Sequence, residues 1–306
     1  MTHAEAPVVD VIIPTLATAN RSFCLRRAIE SVRTQSSVRT RILVVINGTS
    51  FCDALASAVA ALPSVCVLHI HEASLPAALR AGRAAVTAPF FGFLDDDDEL
   101  LPNALIKRVA YLNAVAQADV VISNGARYVS DHTQPTPIVQ HATRIYEDPL
   151  AALLEFNWFS TSASGLYRTS SISLAAFAGI PKYLEWTYLG VYLLTSGRVV
   201  HFLDEIQYAK YEAATSLSRS LEYTLGMPSA LEQILELDLP SYAKRTLLRK
   251  RCTALHTAAD IYLKHGLLGR AWKSHLRSIA SPHGLRYLAF TRYLIKESAI
   301  SLLQAL

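Results

Sequence analysis

The strongest chemical signal in the sequence is a run of four aspartates, Asp95 to Asp98, which is followed by Glu99 and preceded by the apolar segment 90–94. Adjacent carboxylates repel one another, so the run is stable only where positive charge offsets it. Oxygen-only ligands suit a hard divalent cation, Mg²⁺ or Mn²⁺, which keeps open positions for substrate phosphates. The alternative is a solvated acidic loop in which Asp98 and Glu99 favour the N-terminus of the next helix.

Apolar segments alternate with helical patterns along the first 125 residues, and this alternation positions the acidic run. Near-continuous apolar strands separated by helices predict an α/β fold with a mostly parallel sheet covered on both faces. Strands are predicted at 8–13, 41–46, 65–70, 90–94 and 119–122, and helices at 22–35, 53–62, 74–86 and 102–116.

Ligands of such sheets bind beyond the carboxyl ends of the strands, so the polar residues that follow the strands are the site candidates. These are Thr15, Asn20 and Arg21 after the first strand, residues 47–50 after the second, and the acidic run after the fourth. The pattern is looser from 126 to 220, with a helix predicted at 184–194 and a strand at 199–203. After residue 228 only helices are predicted, at 229–237, 241–265, 267–280 and 284–304.

Composition excludes several classes of protein. The chain has 306 residues, of which 51% are hydrophobic and 18% charged, so it is not compositionally disordered. We expect no membrane span, because the longest uncharged stretch, 54–71, is interrupted by Pro63, and no signal peptide, because the N-terminus lacks basic and apolar regions. The four cysteines form no CxxC pair and are expected to be reduced, buried and without a metal.

Charge is distributed unevenly along the chain. Residues 1–240 carry a net charge of −6, whereas residues 241–306 carry 12 basic and 2 acidic residues. Basic helices that also contain Leu, Tyr, Phe and Trp272 are typical of membrane-surface elements, in which each basic residue contributes about 1 kcal/mol near an anionic leaflet. The alternative is a helical cap whose basic face is solvated or lies on the acidic body. No nucleic-acid-binding motif is present, so nucleic acid is not an expected partner.

Roughly residues 8–220 resemble the family 2 glycosyltransferases of the GT-A fold. Five motifs carry the resemblance, and they occur in the family's order and spacing. They are residues 11–15 (VIIPT) with Asn20 and Arg21, residues 29–35 (IESVRTQ), residues 44–49 (VVINGT), residues 78–82 (ALRAG) and residues 93–102 (FLDDDDELLP).

The resemblance implies a GT-A-type sheet and a metal-dependent, inverting transfer of a sugar from a nucleotide-diphosphate sugar to a glycan or lipid-linked acceptor, in surface polysaccharide biosynthesis. Asp95 and Asp97 would be the metal ligands for Mn²⁺ or Mg²⁺. The implied donor-binding residues are Thr15, Asn20, Arg21, Asn47, Arg80, Asp95 and Asp96. Arg21 and Arg80 have the alternative of being surface charges.

The resemblance, the helical pattern after residue 228 and the basic C-terminal charge together predict two domains and a location. Residues 1–225 would form the nucleotide-sugar-binding and catalytic domain, and residues 226–306 a basic helical C-terminal extension. We expect the protein to be cytoplasmic, lying peripherally at the inner face of the cell membrane.

The acceptor half of the site departs from the family pattern. The family's Glu-Asp pair, whose Asp deprotonates the acceptor, falls here on Glu185 and Trp186, and the usual His falls on Ala213. Glu185 is therefore the candidate general base, with a helix-start residue as the alternative. Trp186 and Trp158 are candidates for stacking on an acceptor sugar, with plain packing as the alternative.

These departures leave a second hypothesis open. The chain would then be a catalytically degenerate nucleotide-sugar-binding module or scaffold. A nucleotidyltransferase on the same fold is disfavoured, because no Gly-rich basic loop follows the first strand.

Overall fold

The computed structural model describes residues 6–129, 134–159, 161–212 and 220–304. The chain divides into two compact units, Met1–Ala213 and Ala214–Leu306. The predicted boundary between residues 225 and 226 falls inside a helix that begins at Leu221. The assignment of donor binding and catalysis to residues 1–225 stays a prediction.

The first half of unit 1 is an alternation of parallel strands and helices. Its elements are β1 (Val8–Thr15), α1 (Ser22–Arg33), β2 (Arg39–Asn47), α2 (Asp53–Ala60), β3 (Val65–Ile70), α3 (Leu75–Ala84) and β4 (Phe90–Phe93). β1 lies between β2 and β4, and β2 pairs with β3 at the sheet edge, all in parallel. The carboxyl ends of these strands therefore meet at one edge, as predicted.

The second half of unit 1 completes a mixed sheet. Its elements are β5 (Glu99–Leu100), α4 (Ala104–Ala114), β6 (Val120–Val129), β7 (Thr136–Pro137), α5 (Thr143–Glu147), α6 (Pro149–Phe156), β8 (Gly165–Arg168), α7 (Glu185–Thr195) and β9 (Val200–Glu212). The strand order is β3-β2-β1-β4-β8-β6-β9-β5, with β7 pairing to β6. β8 is antiparallel to both neighbours, whereas β6 and β9 are parallel. The predicted fold class, a mostly parallel sheet with flanking helices and a helical C-terminal part, is confirmed.

Close packing brings α3 onto the sheet. Ser74 caps the helix by accepting a hydrogen bond from the Ala77 N–H, and Pro76 occupies its first turn. Gly82 faces β1, and a Cβ atom there would lie 2.4 Å from Ile12 Cγ2. A larger residue at 82 would therefore push α3 away from the strand that leads to Thr15.

Strand β6 runs past its predicted end at residue 122 because its polar residues are satisfied inside the protein. Asn124 donates to Val139 O at 2.8 Å and to Asp204 Oδ1 at 2.8 Å, and it accepts from the Val139 N–H. The hydroxyl of Ser123 accepts a hydrogen bond from Arg108 at 2.8 Å. Buried polar groups that are bonded in this way do not end a strand.

Arg108 is a fully buried cation on α4 that holds three separate segments together. Its guanidinium donates to Ser123 Oγ on β6, to Gln207 Oε1 on β9 and to Ala163 O in the 3-10 turn Ser162–Ser164. Each of these bonds is 2.8 or 2.9 Å long. Burial lowers the pKa of Arg108 to about 10, so the side chain stays charged at neutral pH.

We expect Arg108→Met to destabilise the protein by about 3 kcal/mol, because it leaves three buried acceptors without a donor. The matched control is Lys107→Met, one residue earlier on α4. Lys107 is exposed, and among the described residues its ammonium forms only a surface ion pair with Glu205, so that change costs about 0.5 kcal/mol. Urea unfolding of the full chain, followed by tryptophan fluorescence, compares the two. Equal midpoints would contradict the structural role of Arg108.

Unit 2 consists of helices in its described part. They are α8 (Leu221–Leu235), α9 (Ser241–Lys264), α10 (Leu268–Ile279), a 3-10 helix (Gly284–Phe290) and α11 (Thr291–Gln304). The single helix predicted for 284–304 is therefore two elements. No helix among the described residues is both long enough and apolar enough to cross a membrane.

The cysteines are all free, but the expectation that all four are buried is wrong. Cys252 is buried against Ser278, whereas Cys24 and Cys52 are half-buried. Cys66 is exposed because β3 is the outermost strand of the sheet and one of its faces is only partly covered.

Candidate functional site

The acidic run forms a tight loop between β4 and β5, at the carboxyl edge of the parallel strands. The Asp98 N–H donates to Asp95 O at 3.2 Å, which closes a turn. The four side chains differ in exposure: Asp96 and Asp98 are buried, whereas Asp95 and Asp97 are half-buried. Alternate carboxylates of the loop are thus the ones that remain accessible.

Asp96 is bound by two residues that follow β1. Thr15 Oγ1 donates to Asp96 Oδ2 at 2.5 Å, and Arg21 Nε donates to the same oxygen at 3.0 Å. A second guanidinium nitrogen of Arg21 bonds Asp96 Oδ1 and lies 3.3 Å from Asp97 Oδ2. We call Thr15, Arg21 and Asp96 the clasp, because they tie the loop after β1 to the acidic loop.

The clasp changes the interpretation of two predicted donor-binding residues. Asp96 is 3% exposed, and both of its carboxylate oxygens already accept hydrogen bonds from other residues of the chain. Arg21 is neither a free surface charge nor a free phosphate contact, since it pairs with aspartates. Donor binding by either residue stays a prediction.

The other predicted donor residues differ in their contacts and in their exposure. Asn47, at the end of β2, donates to Thr15 O at 3.1 Å and so joins the ends of β1 and β2. Asn20 is exposed and accepts from the Thr18 hydroxyl at 2.5 Å. Arg80 is exposed on α3 and lines a surface pocket with His71. No hydrogen bond or ion pair among the described residues joins Arg80 to the acidic loop.

Burial and crowding raise the proton affinity of three carboxylates in the loop. Burial, followed by the charge of Asp97, raises the pKa of Asp95 to about 7, although the Ser162 hydroxyl and Lys210 act against the rise. Burial also raises the pKa of Asp97, against the lowering effect of Arg21. The pKa of Asp98 is raised well above its ordinary value by burial and by Asp95. The loop therefore holds more negative charge than its neighbours balance.

The donor set fits a divalent cation that takes part of its coordination from a ligand. Mg²⁺ is commonly held by one or two carboxylates together with substrate phosphates and water. Asp95 and Asp97 are partly accessible carboxylates two positions apart, which meets that requirement. Across the described residues no group of three or more His, Cys, Asp or Glu side chains is arranged to hold a metal alone.

We expect the metal-free protein to lose stability as the pH rises from about 4 to about 7 through the titration of Asp95. In that window the folded state, with its raised pKa, binds more protons than the unfolded state, so stability falls with rising pH. Asp95→Asn removes this dependence. In EDTA, the stability of the variant relative to wild type should increase between about pH 5 and about pH 8, in urea unfolding at each pH. A constant difference would contradict the raised pKa.

Several residues at the loop were not identified from the sequence. The Arg27 guanidinium donates to Asp97 O at 2.5 Å, pairs with Glu99 at 2.7 Å and lies 3.8 Å from the centre of the Tyr211 ring. The Tyr211 N–H donates to Asp98 Oδ1 at 3.1 Å. Tyr211 and Ser162 come from segments with weak periodicity and lie far along the chain from the loop, so no local pattern could identify them.

Glu185 opens α7 from a strained turn. Tyr183 and Leu184 both have left-handed φ values, +68° and +56°, which are costly for residues other than glycine. Glu185 Oε1 accepts from the Tyr183 N–H at 2.9 Å, and the residue is 9% exposed. Burial raises the pKa of Glu185, while its own N–H and that of Tyr183 act in the opposite direction. The helix-start interaction is present, and a catalytic role stays a prediction.

Both candidate acceptor tryptophans are buried. Trp186 is 8% exposed, and its ring lies 5.3 Å from that of Phe93 at the end of β4. Trp158 is 2% exposed, and its indole N–H donates to Pro149 O at 2.9 Å. Their packing interactions are thus evident, and stacking on a sugar stays a prediction. Ala213, where the family's His would fall, lies outside the described residues.

Comparison with known proteins adds three similarities. Residues 10–173 match the model of a family described as glycosyl transferase family 2. The uncharacterized glycosyltransferase RP339 of Rickettsia prowazekii (strain Madrid E) is 25% identical over 145 residues, which cover 47% of this chain and 44% of the relative. The chain thus spans less than half the length of that relative.

Solved structures of S. aureus TarS residues 1–349 resemble the chain in fold. The complex with UDP-GlcNAc has a TM-score of 0.58 and 14% sequence identity, covering 89% of this chain and 80% of that one. The complex with UDP has a TM-score of 0.53 and 14% identity, covering 81% and 70%. At this identity the likeness shows the fold alone.

Proposed function

Because this chain belongs to glycosyl transferase family 2, we propose that it moves a sugar from a nucleotide-diphosphate sugar to a glycan or lipid-linked acceptor, using Mg²⁺ or Mn²⁺. The observation that carries the proposal is the acidic loop at the carboxyl edge of β1, β2 and β4. Its carboxylates are crowded, the pKa values of Asp95 and Asp97 are raised, and the clasp leaves these two side chains accessible. Such a loop is electrostatically suited to a cation that bridges to phosphates.

Asp95 and Asp97 would hold the cation, which supplies charge neutralisation for a nucleoside diphosphate leaving group. The chain's own contribution is to fix the two carboxylates. The clasp holds Asp96 from one side, and the Tyr211 N–H holds Asp98 from the other. Arg27 bonds the backbone carbonyl of Asp97 itself. A rigid loop of this kind keeps its accessible carboxylates in place before a ligand arrives.

The donor is proposed to be a nucleotide sugar of the kind bound by TarS, whose structures contain UDP-GlcNAc and UDP. Thr15, Asn20, Asn47 and Arg80 remain proposed donor contacts. UDP-sugars are therefore the first donors to test, with GDP- and dTDP-sugars as the comparison.

Glu185 is proposed to take the proton from the acceptor hydroxyl, which attacks the anomeric carbon as the nucleoside diphosphate leaves, with inversion. Trp186 contacts Phe93 at the end of β4, the strand that leads into the acidic loop, and this contact supports the proposal. A raised pKa suits a base that works near neutral pH.

We further propose a class of acceptor and a cellular location for the enzyme. We assign the enzyme to surface polysaccharide synthesis at the inner face of the cell membrane, with a glycan or a lipid-linked acceptor. The support is the basic character of residues 241–306 and their exposed apolar side chains.

One observation favours a second function, nucleotide-sugar binding without turnover. The position that carries the family's general base is Trp186, which is packed against Phe93 and has no proton-accepting group. The two functions differ in one measurable respect: both predict metal-dependent donor binding, but only the enzyme releases nucleotide.

We expect nucleotide release from one donor in a panel of UDP-, GDP- and dTDP-sugars when Mn²⁺ or Mg²⁺ is present, and none in EDTA. The metal dependence follows from the need to offset the loop's charge against that of the diphosphate. Titration calorimetry of each donor, with and without metal, is run beside the assay. Donor binding without release, also with lipid extract as acceptor source, would favour the binding module. Equal release in EDTA would contradict the role of the metal.

A further inference from the structure

The last two elements of unit 2 expose large apolar side chains in unusual number. Leu285 is 76% exposed and Leu288 53% in the 3-10 helix, and Tyr293 is 60% and Leu303 74% exposed in α11. Leu285 and Leu288 are three residues apart and so lie on one face of a helix with three residues per turn. Single exposed apolar residues need no explanation, whereas several on one helix face indicate a partner.

The apolar residues of α11 share one face with two cations. Residues three or four positions apart lie side by side on an α-helix, and this relation links Arg292, Lys296, Ile300 and Leu303, with Tyr293 beside them. All five are exposed. We call this set the outer face of α11.

The opposite face of α11 anchors the helix within unit 2. Leu294 is completely buried, and Ser298, four residues later, accepts a hydrogen bond from the Trp272 indole N–H of α10 at 3.0 Å. The outer face is therefore directed away from α10 by the packing of the helix itself. Its exposure is a consequence of how α11 is attached.

Charge on these elements has one predominant sign. Between residues 284 and 304 the basic residues are Arg286, Arg292 and Lys296, and Glu297 is the single acidic residue. In the described part of the chain neither Arg292 nor Lys296 forms an ion pair, so their charges are not offset by a neighbour. Unpaired cations interleaved with Leu, Ile and Tyr match the surface of an anionic bilayer, in which a region of lipid phosphates lies above a region of acyl chains.

We propose that the outer face of α11, together with Leu285 and Leu288, docks on an anionic lipid bilayer. The apolar side chains enter the acyl boundary, and the stems of Arg292 and Lys296 extend along it so that their charges reach lipid phosphates. A soluble polyanion would use the cations but not the exposed Ile and Leu, and an apolar protein surface would not need the cations. The proposal deepens the function proposed above, on which its relevance to a lipid-linked acceptor rests.

The test is co-sedimentation of the full chain with vesicles of phosphatidylcholine containing phosphatidylglycerol at one lipid in four, and with phosphatidylcholine alone. We expect binding to the anionic vesicles, weakened by salt, and little binding to the neutral ones. Arg292→Gln with Lys296→Gln should weaken binding roughly thirtyfold, since two charges are lost. The matched control, Arg26→Gln with Arg198→Gln, removes two exposed charges from unit 1 and should bind as wild type.

A second pair of variants tests the apolar half, Ile300→Ser with Leu303→Ser, and should weaken binding at least tenfold while leaving the net charge unchanged. Circular dichroism and the unfolding midpoint check that every variant is folded. Absence of binding, equal binding to neutral vesicles, or wild-type binding by both outer-face pairs would overturn the proposal.

Two further outcomes also overturn it in favour of another partner. Lipid-free binding to long-chain polyphosphate that is lost in the charge pair but kept in the apolar pair would indicate a polyanion. Concentration-dependent dimers in light scattering that are lost in the apolar pair would indicate a second copy. Nucleotide release is measured without vesicles, so failure of that assay with vesicle binding intact would reject the proposed function and leave docking in place.

Discussion

Asp97→Asn is expected to lower metal-dependent sugar transfer by roughly a thousandfold, because it removes one of two accessible charges that would hold the cation. Asparagine has the same shape and keeps one oxygen, so the loop keeps its form. The pKa of Asp97 is raised by burial, which means that its charge is a cost to the metal-free fold. The variant should therefore be at least as stable as wild type in EDTA near pH 8.

That combination separates a lost ligand from a damaged fold. Thermal unfolding is measured in EDTA and then with Mn²⁺ and nucleotide, and we expect the ligand-induced rise in Tm to be absent from the variant only. Glu30→Gln is the control, because Glu30 is exposed on α1 and, in the part of the chain that the structure describes, pairs only with Arg33. Unchanged donor affinity in the presence of metal would remove Asp97 from the site.

Glu185→Gln is expected to lower kcat by roughly a hundredfold to ten-thousandfold with donor affinity unchanged, because it removes the proposed general base. Glutamine Oε1 can still accept from the Tyr183 N–H, so the start of α7 is kept. Burial raises the pKa of Glu185, and an acid with a raised folded pKa destabilises the fold above that pKa. The variant should thus be as stable as wild type, or more so, near pH 8.

Two measurements distinguish a base from a helix-start residue. The wild-type rate should fall as the pH is lowered through the raised pKa of Glu185. The residual rate of the variant should not show this fall at low pH. Glu155→Gln, on α6, is the matched control, since Glu155 is exposed and its one ion pair within the described ranges is with Arg144. A wild-type kcat in Glu185→Gln would leave this carboxylate with its helix-start role alone and would exclude it as the general base.

The α/β alternation of the first 125 residues was predictable because each strand is a mostly apolar run that ends at a polar residue or a proline. Strands β1 to β4 and helices α1 to α4 lie where those patterns placed them, with ends shifted by a few residues. β5 and β7 have two residues each, which is too short to show an alternation of apolar and polar residues. β8 is a four-residue strand inside a segment rich in Ser and Thr, and tertiary pairing with β4 and β6 defines it.

The position of the candidate site was predictable from the sequence, but the hydrogen bonds and ion pairs within it were not. The acidic run after β4 pointed to the correct edge of the sheet, because topology alone brings the strand ends together. Nothing local could indicate that Arg21 turns toward Asp96, or that the Tyr211 N–H bonds Asp98 across 113 positions of sequence. Trp186 and Trp158 illustrate the same limit, because a tryptophan's burial depends on neighbours that spacing does not reveal.

The buried guanidinium of Arg108 has a consequence for how this sequence can diverge. Its three acceptors come from α4's neighbours β6, β9 and the turn at 162–164, and two of them are side chains, Ser123 and Gln207. An apolar residue at 108 leaves the oxygens of both side chains without their Arg108 donor, and an apolar residue at either acceptor leaves part of the cation unpaired. A single apolar substitution at any of the three positions therefore lowers stability, whereas a joint replacement by apolar residues of similar volume does not. We therefore expect related sequences either to keep the residues at positions 108, 123 and 207 or to replace all three together.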